Sequence, residues 1–300
     1  MSKWVLVDLS VLAYKAMYAC GDLAHEDIPT GVLYGFFEQL YSICKNLKSN
    51  KVLIFTDSKK SYRSKAFPGY KKKRKEQRTP EEQEKINIMY KQINKLKNKI
   101  LPKLGFPVYR QTGLESDDLI AYAAQELTRR GEHGVIITSD KDLYQCITSY
   151  VDWYDPGQEL LIDRKAFRNK YEIAPDRWAM VKALAGCTSD TVPGIKGVGE
   201  KGAIQYLKGE MPRNKKLVSI MNAQLSGEVN KWLGLVELPH KKTKQFEIRE
   251  PEYNIKMFFN FAKHFGITTY YEQSRRRTQW IKFFRGEFKG NRKLRRRKKK

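Results

Sequence analysis

The chain has few of the residues that build zinc sites and disulfide frameworks. Among its 300 residues there are four cysteines and four histidines. The cysteines are far apart in the sequence, no Cys-x-x-Cys pair is present, and the histidines are isolated from one another. This pattern argues against a zinc site and against a disulfide-stabilised secreted fold. Free, buried thiols in a reducing compartment are expected instead.

Long hydrophobic runs are also missing. No apolar stretch approaches the roughly 20 residues that a membrane-spanning helix needs. The first residues form a short strand-like run ending at Asp8, without the regions that mark a signal peptide. We therefore expect a soluble, cytoplasmic protein, monomeric and without a membrane partner.

Negative charge is scarce. The chain has 58 Lys and Arg but only 33 Asp and Glu, which gives a formal charge of +25 and a pI near 9.8. The composition, 41% hydrophobic and 12% aromatic, is that of a globular protein of one large or two modest domains. Such a basic protein is expected to bind a polyanion, nucleic acid above all, with a membrane surface or an acidic protein as alternatives.

Eight of the few carboxylates fall in five short clusters, each at the end of an apolar run. They are Asp8; Asp57; Glu115, Asp117 and Asp118; Asp140 and Asp142; and Asp190. Carboxylates gathered in one place repel each other unless a cation lies among them, and in an oxygen-rich site that cation is usually Mg²⁺ or Mn²⁺. An acidic metal site within a basic protein indicates an enzyme that cuts nucleic acid.

The arrangement of strands and helices predicts where these clusters meet. Buried strands are expected at 4–9, 51–56, 107–109 and 134–138, with helices at 11–20, 32–47, 80–104 and 115–130 and a small hairpin at 151–162. Strands alternating with helices predict an α/β fold with a mainly parallel sheet. Ligands of such sheets bind beyond the carboxyl ends of the strands, so one sheet edge is expected to collect the carboxylates up to residue 142.

The motifs, taken in order, carry a family resemblance. They are Val-Asp-Leu-Ser at 7–10, Phe-Thr-Asp at 55–57, Tyr-Lys-Lys-Lys-Arg at 70–74, Glu-Ser-Asp-Asp at 115–118, Thr-Ser-Asp-Lys-Asp at 138–142 and the segment 186–199. The set resembles the flap endonuclease and 5′ nuclease family, which includes phage 5′→3′ exonucleases and the nuclease domain attached to bacterial DNA polymerase I. The resemblance spans about residues 4–205.

The resemblance implies a phosphodiesterase that uses two Mg²⁺ or Mn²⁺ ions. Asp8, Asp57, Glu115 and Asp117 are expected around the first ion, and Asp118, Asp140, Asp142 and Asp190 around the second. Three regions are implied. A PIN-like nuclease core at 1–163 carries a basic helical arch at about 59–100. A helical DNA-binding subdomain of helix-hairpin-helix type follows at 164–274, and a basic tail at 275–300.

One position departs from the family pattern. The family has Gly-Asp-x-x-Asp where this chain has Gly186-Cys187-Thr-Ser-Asp190. Cys187 thus replaces an acidic residue of the second metal cluster, and a thiol is a poor ligand for Mg²⁺. The binding of the second ion is therefore expected to differ from the family pattern.

Two basic segments are candidates for contact with DNA. Residues 59–75 hold nine Lys or Arg and no acid. By resemblance, Lys71 and Arg74 contact the scissile phosphate, Tyr70 stacks on a terminal base, and Lys72 and Lys73 bind DNA. The last 26 residues carry fourteen Lys or Arg and one acid. They predict a nonspecific DNA-binding extension, anchored by an apolar stripe of Trp280, Phe283, Phe284 and Phe288 packed on the core.

A glycine-rich segment near residue 200 is the third candidate. It could be a simple connecting turn, and a dinucleotide loop is disfavoured because the segment follows a helix-like stretch rather than a strand. By resemblance it is a helix-hairpin-helix element that holds the duplex and a K⁺ ion at the loop 194–202. Its expected DNA-binding residues are Gly194, Lys196, Gly197, Gly199 and Lys201.

The resemblance implies DNA with 5′ flaps, ends or branched junctions as the substrate, in replication or repair. RNA primers in RNA–DNA hybrids and replication proteins are further expected partners. Two alternatives stay open at this point: a ribonuclease with a related acidic site, and a noncatalytic protein of the same fold that binds branched DNA.

Overall fold

A computed structural model of the protein describes residues 2–72 and 78–288 and the backbone of residues 295–296. The strands are β1 (Trp4–Asp8), β2 (Ala24–His25), β3 (Ile28–Pro29), β4 (Val52–Phe55), β5 (Val108–Tyr109), β6 (Gly134–Ile137), β7 (Val151–Asp155), β8 (Leu160–Ile162) and β9 (Arg295–Arg296). Within the described residues, seven of them form a central sheet in the order β5-β4-β1-β6-β7-β8-β9.

The sheet is parallel from β5 through β7, and β8 turns back as an antiparallel hairpin partner of β7. This confirms the expected mainly parallel sheet and the small hairpin. The helices are α1 (Leu9–Cys20), α2 (Gly31–Leu47), α3 (Tyr62–Ala66), α4 (Pro80–Lys95), α5 (Leu101–Lys103), α6 (Ser116–Arg129), α7 (Arg164–Tyr171), α8 (Trp178–Ala185), α9 (Glu200–Leu207), α10 (Lys215–Leu225), α11 (Glu228–Val236), α12 (Ile255–His264) and α13 (Ser274–Phe284).

Both faces of the sheet are covered, which explains why its central strands are apolar throughout. Successive side chains of a strand point to opposite faces. In β1, Leu6 therefore packs with Leu119 of α6, whereas Val5 and Val7 pack on the other side with Phe36 of α2. Helices α6 to α11 contribute to the first core, and α1, α2, α4, α12 and α13 contribute to the second.

Local sequence signals fix the ends of the long helix. Thr79 and Glu82 form a reciprocal capping box, and Pro80 occupies the first turn, where its missing N–H costs nothing. The predicted start at residue 80 is confirmed. The predicted helix to 104 is interrupted by a π-helical turn at Leu96–Ile100, just before Pro102, which has no N–H for a regular helical bond.

The C-terminal helix returns to the N-terminal core. In α13, Trp280 and Phe283 are fully buried, and both rings contact Tyr41 of α2. The predicted packing of this apolar stripe is confirmed. Most of the basic tail beyond it, with its expected DNA contacts, lies outside the described residues. Among the helices that the structure describes, none has both the length and the apolar character needed to cross a membrane.

Candidate metal centre and nucleic-acid interface

The carboxyl ends of β1 and β4 bring the first two acidic residues together. Asp8 ends β1 and caps α1 by accepting a hydrogen bond from the backbone N–H of Ser10 at 2.9 Å. The hydroxyl of the same Ser10 donates to Oδ2 of Asp57, just after β4, at 3.2 Å. Ser10 therefore fixes the relative position of the two carboxylates.

The start of α6 is attached to the same place. Both the backbone N–H and the hydroxyl of Ser116 donate to Oδ1 of Asp57, at 2.8 and 3.0 Å. This brings Asp117, the next residue, into the acidic cluster. Oδ1 of Asp117 is buried and receives no hydrogen bond from any described residue. A buried oxygen without a donor is what a divalent cation would complete.

The carboxylates of this first cluster repel one another, and a bound cation would relieve that repulsion. Burial, and then the negative charges of Asp57 and Asp140, raise the pKa of Asp8 to about 7 from its ordinary value of 3.8. Burial, and then repulsion from Asp140 and Asp8, raise the pKa of Asp117 well above its usual range. The structure thus brings Asp8, Asp57, Asp117 and Asp140 into one mutually repelling group. All four residues offer carboxylate oxygens as metal ligands, which suits Mg²⁺ or Mn²⁺.

A second cluster lies beyond β6. Asp140 caps the short 3₁₀ helix at Lys141–Cys146 by accepting a hydrogen bond from the N–H of Asp142 at 2.8 Å. Burial, and then the charge of Asp140, raise the pKa of Asp142 to about 6. The ligand atoms of Asp142, Cys187 and Asp190 all lie within 4.8 Å of one another, and all three residues are buried.

The loop that carries Cys187 is tightly closed. Cys187 and Val192 exchange backbone hydrogen bonds of 2.9 and 3.0 Å across it. Gly186 begins the loop at φ +79°, and a Cβ there would lie only 2.6 Å from the carbonyl oxygen of Pro193. The backbone from which Cys187 and Asp190 reach the neighbourhood of Asp142 is therefore fixed.

Tyr70 and Lys71 lie between Glu115, which was expected around the first ion, and Asp190 of the second cluster. The hydroxyl of Tyr70 donates to Glu115 at 3.0 Å and lies 3.4 Å from Asp190. The ammonium of Lys71 donates to the same oxygen of Glu115 at 2.9 Å, while its backbone N–H donates to the carbonyl of Asp190. Tyr70 is 7% exposed and packs in the core, so in this conformation it has no free face for the expected stacking on a base.

Asp118 does not join either cluster. Oδ1 accepts hydrogen bonds from Arg63 and from the N–H of His240, and Oδ2 accepts from Arg63 and the N–H of Glu115. Each oxygen thus has two donors, which uses its lone pairs. Burial alone would raise the pKa of Asp118, but the hydrogen bonds from Arg63 lower it overall. The structure gives Asp118 an anchoring position, in contrast to its expected place around the second ion.

Two charged contacts of the site were not identified from the sequence. Lys182 of α8 forms a 2.9 Å ion pair with Asp142 and is largely buried. Arg63, counted only as part of the basic arch, is 3% exposed and holds Asp118. Both pairs join residues that are far apart in the chain. The only local signal was an isolated basic residue on a mostly apolar helix, as Lys182 is on α8.

The basic arch is described in part. Helix α3 and the following turn include Lys72, which is exposed, whereas Lys73 and Arg74 lie outside the described residues. In the glycine-rich loop, Lys196 and Lys201 are exposed.

The glycines of that loop have different surroundings. A Cβ on Gly194 would lie 2.3 Å from the backbone nitrogen of Gly186, so Gly194 serves close packing. Gly197 has φ +80° and open space around it, and Gly199 caps the N-terminus of α9. The exposed part of the loop is thus the part with open space beside its backbone, as an anion-binding turn requires.

Comparison with known sequences identifies relatives over the region that carries the first acidic cluster. Residues 3–172 match the family described as 5′-3′ exonuclease, N-terminal resolvase-like domain. The chain is 31% identical to the 5′-3′ exonuclease of Buchnera aphidicola subsp. Schizaphis graminum over 68% of this chain and 69% of that protein. Identity to DNA polymerase I of Chloroflexus aurantiacus is 32% over 68% of this chain, which spans only 22% of the polymerase.

Solved structures share the fold. The T5 5′-exonuclease with bound zinc superimposes with a TM-score of 0.66 at 19% identity, covering 79% of this chain and 89% of that one. Human GEN1 in complex with Holliday junction DNA gives a TM-score of 0.57 at 14% identity, covering 94% and 72%. With more than half of its length matched by the family and an exonuclease relative matched over two thirds of both chains, this protein belongs to the 5′-3′ exonuclease family.

Proposed function

We propose that the protein is a divalent-metal-dependent 5′ nuclease that hydrolyses phosphodiester bonds of DNA at 5′ flaps, 5′ ends and branched junctions. The proposal rests on Oδ1 of Asp117. This oxygen is buried and accepts no hydrogen bond from the described residues, and it belongs to the group that also contains the carboxylates of Asp8, Asp57 and Asp140. The repulsion is relieved when cations bind, and a pair of Mg²⁺ or Mn²⁺ ions is the proposed complement. Family membership and the basic character of the whole chain support the same conclusion.

The residues of the first cluster hold and orient the ion. Bound there, a divalent ion supplies charge neutralisation for the phosphodiester and an activated water. Asp8, Asp57 and Asp117 supply carboxylate oxygens, while Ser10 and Ser116 hold Asp57 in place through its two oxygens. Because these supporting bonds come from the first turns of α1 and α6, the geometry is fixed before substrate arrives.

Lys71 is suited to stabilise negative charge on the phosphate. Burial alone would lower its pKa, but the charges of Glu115 and Asp190 raise it overall. Lys71 therefore stays protonated and acts as a cation rather than as a base. A phosphate oxygen can replace Glu115 as its partner without any change in the position of the main chain, which the Asp190 carbonyl holds.

Binding of the duplex is assigned to the surfaces beside the cluster. The exposed backbone at Gly197 and Gly199, with Lys196 and Lys201, is proposed to hold a phosphate and a K⁺ ion behind the cut. Lys72, with Lys73 and Arg74 outside the described residues, is proposed to cover the 5′ strand. Activity on RNA–DNA hybrids, a monomeric state, a cytoplasmic location and partners among replication proteins remain predictions.

Cleavage of a 5′-labelled flap duplex tests the proposal. Mg²⁺-dependent products near the junction, or short oligonucleotides released from the 5′ end, are expected, with no products in chelator. Asp140→Ala should fold normally and abolish cleavage, while Asp22→Asn, a change at an exposed carboxylate, serves as the control. Tight binding of the flap duplex without cleavage in either Mg²⁺ or Mn²⁺ would contradict the proposal and favour a noncatalytic DNA-binding protein.

A further inference from the structure

The second cluster has a donor set that differs from the first. Asp142, Cys187 and Asp190 are 7%, 8% and 5% exposed, and their ligand atoms lie within 4.8 Å of one another. Oδ1 of Asp142 is buried and faces the ammonium of Lys182 at 2.9 Å, without a donor in good hydrogen-bond geometry among the described residues. The cluster is thus enclosed and anionic.

A sulfur ligand changes which cation such a cluster selects. Mg²⁺ is bound by oxygen, keeps most of its waters and gains little from a thiolate. Zn²⁺ and Co²⁺ accept both thiolate and carboxylate, at about 2.3 and 2.0–2.2 Å for zinc. Ligands of one tetrahedral ion are then about 3.5 Å apart, so a separation at the 4.8 Å limit would shorten by on the order of 1 Å when the ion binds.

Lys182 already provides a positive charge to the cluster. Its ammonium lies 2.9 Å from Oδ1 of Asp142, and the lysine side chain is 16% exposed. An incoming ion must compete with this ammonium for Asp142. Mg²⁺ would have to do so without a strong bond to Cys187, whereas an ion that binds sulfur gains that bond in compensation.

We propose that Asp142, Cys187 and Asp190 form a site for one thiophilic divalent ion, such as Zn²⁺ or Co²⁺, and that Lys182 offsets the charge of Asp142 when this ion is absent. The ion bonds to the sulfur as the S–H bond breaks, and the proton passes to solvent. The ammonium of Lys182 gives up Asp142 without losing its own proton. The inference concerns the metal centre of the proposed nuclease and rests on that function.

Titration of the chelator-treated full chain with Co²⁺ in the presence of excess Mg²⁺ tests the site. One equivalent of Co²⁺ should produce a near-ultraviolet thiolate-to-cobalt charge-transfer band. The band should be lost in Cys187→Ser and Cys187→Ala and kept in Cys20→Ser, a control at a half-buried cysteine outside the cluster. Equilibrium dialysis should likewise show that Zn²⁺ binding is lost in both Cys187 variants and kept in Cys20→Ser. Using two substitutions at Cys187 keeps the test decisive if one of them fails to fold.

Substitution of Lys182 should strengthen Co²⁺ binding, whereas substitution of Cys187 should weaken it. Lys182→Met removes the competing cation and should strengthen Co²⁺ binding by at least about tenfold, with the band retained. Cys187→Asp should remove the band and increase Mg²⁺ affinity measured by dialysis.

Some outcomes would overturn the inference. No band in the unmodified chain, or a band that survives in Cys187→Ala, excludes Cys187 as a ligand. If Mg²⁺ alone supports flap cleavage and no band forms, the inference fails while the proposed nuclease stands. If the Cys187-dependent band forms and no ion supports cleavage, the metal site stands and the proposed nuclease fails.

Discussion

The guanidinium of Arg63 forms two hydrogen bonds of 2.8 Å with the carboxylate of Asp118, one to each oxygen. Its remaining donors reach the carbonyls of Leu235 and Glu237, at the end of α11. Asp118 in turn caps α6 through the N–H of Glu115. The side chain of Arg63 therefore connects α3, at the base of the arch, with α6, which presents the acidic cluster, and with the helical region beyond residue 200.

Replacing Arg63 should damage both stability and activity. In Arg63→Ala the buried charge of Asp118 loses its partner, which is expected to cost about 3–5 kcal/mol. Arg63→Lys should rescue little, because an ammonium cannot make the paired bonds. Denaturant unfolding measures the loss, and flap cleavage should fall in the fraction that remains folded. Arg129→Ala, which removes an exposed ion pair, is the control and should change little. Equal effects of the two alanine variants would contradict the anchoring role.

Asp117→Asn should separate metal binding from folding. The substitution removes a buried charge that Asp140 and Asp8 repel, so the metal-free protein should become more stable, by on the order of 1 kcal/mol. The same change removes a proposed ligand and should lower cleavage about 100-fold or more. Thermal unfolding in chelator and turnover in Mg²⁺ measure the two effects. A variant that is destabilised in chelator and retains its turnover would show that Asp117 is structural.

Stability of the metal-free protein should fall as pH rises. The folded-state pKa values of Asp8, about 7, and Asp142, about 6, exceed the ordinary value of 3.8. Between pH 4 and 7 the folded state therefore binds more protons than the unfolded state, and raising pH through this window favours unfolding. Asp118, whose pKa is lowered, changes stability only at more acidic pH.

Chemical denaturation in chelator at pH 5 and pH 8 measures this effect. The expected loss of stability from pH 5 to pH 8 is on the order of 4 kcal/mol, about two thirds of it from Asp8. Asp8→Asn should reduce this dependence, and Mg²⁺ should restore stability at pH 8. A metal-free protein that gains stability from pH 5 to 8 would contradict the repulsion that the structure shows.

The parts of the fold that the sequence predicted are those governed by local signals. The apolar runs that precede Asp8, Asp57 and Asp140 are central strands, because a strand covered on both faces must be apolar throughout. Caps were visible as well: Thr79 with Pro80 marked the start of α4. The grouping of carboxylates at one sheet edge followed from parallel topology alone.

The side-chain partners depend on tertiary packing and were not visible in the sequence. Arg63 and Asp118 are 55 positions apart, and only the fold makes them neighbours. The sequence analysis placed Arg63 in the basic arch expected to contact DNA, and the family resemblance placed Asp118 around the second ion. Tyr70 lies in a basic, polar stretch, yet its ring is buried because the turn after α3 directs it toward Glu115. The local sequence indicates whether a residue prefers to be exposed, but a charged or polar residue can be buried when the fold supplies it with a partner.

Lys71→Ala should lower turnover much more than affinity for the duplex. Its ammonium lies at the junction of the two acidic clusters, bonded to Glu115, and is proposed to meet charge that develops on the phosphate during cleavage. Loss of one such contact typically costs about 100-fold in turnover. Single-turnover cleavage of the flap duplex and binding in Ca²⁺ measure the two quantities separately.

Lys72→Ala is the matched control, since Lys72 is the next residue in the chain and is exposed. Its loss should weaken binding slightly and leave the rate at saturating enzyme almost unchanged, because a contact made equally in the ground state and the transition state does not affect the chemical step. If Lys71→Ala instead weakened binding with an unchanged saturated rate, Lys71 would be a general phosphate contact. The stabilisation of charge during cleavage would then have to come from the metal centre alone.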